Sequence, residues 1–75
     1  MMNLPVAPMP TWSDYFAKAD AARKSAVKKR ASAQIHRELS ALAPGHARIA
    51  AELEADATVD EAFALTCERW AAEAA

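Results

Sequence analysis

Residues 12–45 read WSDYFAKADAARKSAVKKRASAQIHRELSALAPG, and the fold follows from what this stretch lacks. No proline or glycine interrupts it before Pro44-Gly45. Alanine and long unbranched side chains, both strong helix formers, fill most positions. Thr11, just ahead, offers a hydroxyl to the first exposed amides, with Asp14 near the positive helix end. The spacing predicts a helix from Trp12 to Leu42, about 31 residues or nearly 47 Å.

Pro44 suits the first turn of a second helix, where its missing donor costs nothing. Thr58-Val59-Asp60-Glu61 has the form of a capping box. The second arm therefore reads as helices over 46–55 and 59–72, or as one helix running through, since threonine is only mildly unfavourable within a helix. The expected fold is all-α: an antiparallel helical hairpin with a long first helix and a second arm either broken in two or continuous. Residues 11–75 form its single domain. Residues 1–10, with Pro5, Pro8 and Pro10 among Met1, Met2, Leu4, Val6 and Met9, form an extended tail, either a frayed terminus or an apolar strap.

Large apolar residues do not keep to one face of the first helix. At about 100° per residue, Trp12, Phe16 and Ala19 point one way, while Ala31, Ile35, Leu39 and Leu42 point roughly 120° away. Two partners or a kink near 28–32 would account for the drift, and the four-residue steps disfavour a strict left-handed coiled coil. A chain of 75 residues has a marginal core of its own, which makes a homodimer the expected supplement. The residues expected at the dimer contact or core are Phe16, Ile35, Leu39, Leu42, Phe63 and Trp70.

Charge is sorted along the chain. Met1 to Gly45 holds seven basic and three acidic residues, a balance of +4, and His46 to Ala75 holds two basic and seven acidic, a balance of −5. Arg23, Arg30 and Arg37 recur every seven residues and so lie nearly in line. They form a rail for phosphates, a solvated face, or a face paired with the acidic arm of the same hairpin or a sister chain. A first helix longer than its hairpin partner would leave part of this rail uncovered. The partner-binding residues expected are Arg23, Arg30 and Arg37 with Trp12 and Tyr15 at one end.

Several classes of function find no support. His36, His46 and Cys67 lack the close spacing of a metal site, the two histidines read as surface residues, and Cys67 reads as a small buried hydrophobe on the stripe with Phe63 and Trp70. No nucleophile elbow, phosphate-cradling loop or metalloprotease helix occurs, so neither an enzyme nor a cofactor is expected. No stretch reaches the roughly twenty apolar residues needed to span a bilayer. The lone thiol and the absence of a charged leader before the apolar terminus fit a soluble cytoplasmic protein.

An alanine-rich helical hairpin under 80 residues, with a long basic first helix, the Tyr15-Phe16 pair and Trp70 near the end, resembles at the level of class the small early proteins of temperate bacteriophages that disable host machines. Examples are anti-CRISPR proteins, quorum-sensing anti-activators and inhibitors of the pilus-assembly ATPase. The resemblance implies a non-enzymatic protein-interaction module, a homodimeric inhibitor or modulator bound to a larger host protein. The alternative is a small nucleic-acid-binding or transcription-modulating protein that uses the arginine face.

Overall fold

The structure, a computed structural model, describes residues 11–74; the tail over 1–10 lies outside the described residues. Two helices pack against each other as an antiparallel hairpin, α1 over Trp12–Leu39 and α2 over Gly45–Ala74. The all-α hairpin read from the sequence is therefore the fold. Thr11 caps α1 as expected: its hydroxyl accepts from the Asp14 amide at 3.3 Å, and the Asp14 carboxylate accepts from the Thr11 amide at 2.9 Å. This reciprocal box satisfies two exposed donors and holds the Asp14 carboxyl below its usual range, chiefly through the hydrogen bond from the Thr11 backbone.

α1 ends three residues before the expected Leu42. The Ser40 hydroxyl donates to Arg37 O at 2.6 Å and the Ser40 amide to His36 O at 2.9 Å, so the last carbonyls are closed locally. Leu42 and Ala43 both bond back to Leu39 O in the turn, and Ala47 bonds to Pro44 O as α2 begins.

α2 runs unbroken for 30 residues, so the break expected at 56–58 is absent. Thr58 explains why its capping pattern misleads. Its hydroxyl donates to Glu54 O at 3.1 Å, four residues back, and so serves the helix from within instead of capping a new one. Thr66 does the same with Ala62 O. A continuous α2 is as long as α1, at about 45 Å against about 42 Å. The first helix therefore does not outrun its partner.

Between the helices lies a seam of small residues. Ala19, Ala26 and Ala33 are buried on α1, and Ala50, Ala57, Ala64 and Ala71 on α2, together with Cys67. Both sets step by seven, the repeat that keeps one line of a helix against a neighbour. Tracking only large side chains hides this repeat, because methyl groups carry it. α1 is one continuous helix, without the kink that the drifting stripe had suggested. Alanine permits close backbone approach, yet each buried methyl contributes only about 0.8 kcal/mol. The hairpin is thus closely joined but thinly cored.

A polar layer interrupts the seam. Lys29 Nζ lies 2.9 Å from Asp60 Oδ2, and the Asp60 carboxyl is held below its ordinary range by this ammonium first and the Ser25 hydroxyl second. Such a pair adds little stability, but it penalises a one-turn slip that would strand either charge.

Candidate functional site

One long edge of the hairpin is an ionic ladder. Arg23 pairs with Glu68, Arg30 with Glu61 and Arg37 with Glu54. Each step moves seven residues up one helix and seven down the other, so antiparallel packing brings every rung level. Arg37 grips Glu54 with two nitrogens, its Nε at 2.7 Å from Oε1. That fork pushes the Arg37 guanidinium up in pKa and the Glu54 carboxyl down, and the Glu61 carboxylate likewise raises Arg30. Arg30 also reaches the Thr58 hydroxyl. All three guanidinium groups engage α2, so no arginine of the rail is left without a carboxylate, although nearly half of each side chain stays in water.

The signal for this ladder was in the sequence. Glu54, Glu61 and Glu68 recur every seven residues, as the arginines do. Only their mutual register required the fold.

The aromatic end forms two pairs. Tyr15 and Trp70 sit with ring centroids 5.7 Å apart, and Trp12 meets Phe16 edge to face at 6.0 Å. Helix beginning and chain end do meet, as the hairpin requires, but Tyr15 is only half-buried and the other three rings are exposed. Phe16 continues the line of Arg23, Arg30 and Arg37 one step earlier, so it caps the ladder with an apolar group.

The residues expected at the dimer contact or core occupy no core within one chain. Phe16, Ile35, Leu39, Leu42, Phe63 and Trp70 are all exposed, Ile35 at 56% and Leu42 at 85%. Methyl groups fill the interface, so larger side chains flank it or turn away. Among these, Leu39 on α1 and Ile49, Phe63 and Trp70 on α2 lie, by helical register, on the edge opposite the ladder, with Ile35 and Val59 on the outer faces beside it.

The histidines depart from the surface placement read in the sequence. His36 and His46 flank the turn, half-buried and stacked, with their Nδ1 atoms 2.9 Å apart. One imidazole must donate to the other. Cys67 is fully buried, as its place on the stripe suggested. Among the described residues no group of three or more metal-ligating side chains occurs, and no helix is long and apolar enough to cross a membrane.

Comparisons with protein families, with curated proteins and with solved structures found no match to this chain.

Proposed function

We propose that this chain is a non-enzymatic protein-interaction module, a small homodimeric inhibitor or modulator that acts by occupying the surface of a larger host protein. The observation that carries the reading is the inversion of its hydrophobicity: among the described residues, alanines and one cysteine fill the interior while eleven large apolar side chains are exposed. A surface of that kind is maintained for contact with protein. The Trp12–Phe16 pair at the open end, with Tyr15 beneath it, is the docking point for the host protein, because rigid aromatic anchors contribute large contact area at small entropic cost. The phage-protein resemblance in size and helical plan points to the same class of activity.

The nucleic-acid alternative relies on Arg23, Arg30 and Arg37, and each of these already faces a carboxylate. Phosphate binding would have to break those pairs first.

Affinity capture from host lysate tests the proposal, with immobilised wild type beside a Trp12→Ala/Phe16→Ala variant. The expected result is a protein retained by wild type and lost by the variant. Identical captured sets would contradict the docking point. In a mobility-shift assay with unrelated DNA, salt-sensitive binding that weakens on Arg30→Ala would overturn the proposal in favour of the nucleic-acid reading.

A further inference from the structure

We infer that the edge opposite the ladder is covered by a second copy of this chain, joined by a two-fold axis running parallel to the helices, so that α1 of each copy lies against α2 of the other. This gives the homodimer of the proposed function a definite surface and orientation, and it rests on that reading only for the existence of a dimer.

Area is the first support. Ile35, Leu39, Ile49, Val59, Phe63 and Trp70 are between 37% and 66% exposed. Together they leave on the order of 600 Å² of apolar side chain in water on this edge and the outer faces beside it. A standard interface takes about 800 Å² from each partner, and roughly 60% of that area is apolar. The edge therefore supplies the apolar content of one dimer interface. The ladder edge has fewer large apolar residues, Phe16, Val27 and Leu65, set among three ion pairs, against the single Lys29–Asp60 pair on the edge opposite.

Charge selects the occupant and its orientation. On this edge α1 carries Lys18 and α2 carries Asp56, with Lys28 and Glu73 on the outer faces beside them, and none of the four has an ion-pair partner within the described residues. The edge is thus basic along one helix and acidic along the other. A two-fold axis parallel to the helices lays the basic helix of each copy on the acidic helix of its partner. An axis running across the helices would lay basic on basic and acidic on acidic. Only the first arrangement is self-complementary.

Side-chain size agrees. A parallel two-fold keeps every level unchanged, and the ladder fixes those levels: Phe63 stands level with Lys28, and Trp70 with Ala21. Trp70 of one copy therefore meets a small residue of the partner's α1, and Phe63 meets the aliphatic stem of Lys28. At the turn end, Ile49 comes level with Leu42, one turn from Leu39. Glu73 comes level with Lys18.

Sedimentation velocity at about 10 μM, with circular dichroism to confirm helicity, tests the inference on three chains. The wild type is expected to sediment as a dimer and Phe63→Glu as a folded monomer. Leu65→Glu, two residues on but facing the ladder side, is expected to remain a dimer. A monomeric wild type would overturn the dimer of the proposed function and this inference with it, whereas dissociation by Leu65→Glu with Phe63→Glu still dimeric would overturn only the choice of edge; neither result bears on host-protein capture. For the orientation, Lys18→Glu/Lys28→Glu is expected to weaken the dimer about tenfold, and adding Asp56→Lys/Glu73→Lys to restore it. An unchanged dissociation constant in the first variant would overturn the parallel axis.

Discussion

The two long edges of this hairpin flank the same alanine seam and are built in opposite ways. On one, three arginines meet three glutamates and the polar groups are satisfied within the chain. On the other, Phe63, Trp70, Ile35 and Ile49 are exposed, and nothing among the described residues covers them. The ladder edge specifies how α1 and α2 pair, whereas the apolar edge is the surface we propose a second copy completes. Charge sorting along the sequence serves both. It sets the rungs inside the hairpin, and it leaves a basic helix beside an acidic one on the open edge.

The largest effect should come from breaking the seam that both edges depend on. Ala64 is fully buried in the seam, packed with Ala19 and Cys67, so Ala64→Leu forces the helices apart. We expect a loss of about 3 kcal/mol in denaturant unfolding, at the upper end of overpacking costs. The same substitution at Ala62, which is exposed, should change stability little. Equal losses at both positions would mean that the alanines are not the contact.

Cys67 reports on the same seam without perturbing it. Its thiol is buried, so a thiol reagent should modify it only as fast as the hairpin opens, and the rate should rise steeply with denaturant. Immediate modification in buffer would contradict close packing at that level.

Reversing one rung sharpens the contrast between the edges. Arg30→Glu places two carboxylates together at the middle of the ladder and should lower the melting temperature by a few degrees, and Arg30→Glu/Glu61→Arg should recover most of the loss. Failure of the double variant to recover would show that the rung does not set the register.

The smallest effect is the pH dependence. Glu54, Asp60 and Asp14 all have carboxyl pKa values lowered in the folded state, by Arg37, by Lys29 with Ser25, and by the Thr11 cap respectively. A lowered folded pKa means that the unfolded chain binds protons first. The stabilisation is thus complete above about pH 5 and is lost as pH falls through about 4 and below. Melts at pH 7 and pH 3 should differ in that sense, and replacing Glu54 by Gln should reduce the difference.

Much of the hairpin was legible in the sequence because punctuation controls it: Thr11 with Asp14 starts α1, and Pro44-Gly45 separates the arms. The meeting of Tyr15 with Trp70 follows from antiparallel geometry alone. The core was not legible to a search for large apolar residues, since that search follows Val27, Ala31, Ile35 and Leu39 around the outside of the helix. The informative repeat was Ala19, Ala26, Ala33 against Ala50, Ala57, Ala64, Ala71, where a small side chain marks contact by what it permits. The seven-residue spacing of the arginines was visible, but their occupancy depended on a continuous α2. Thr58 disguised that continuity by imitating a cap.

The claim that joins these observations is that the hairpin is half of a larger assembly, completed across its apolar edge. Thermal melts of the wild type at two concentrations a decade apart test it most directly. A dimer that folds as it associates should melt on the order of 5 °C higher at the greater concentration, with Phe63→Glu showing no such dependence. A cooperative wild-type melt at the same temperature in both samples would contradict it.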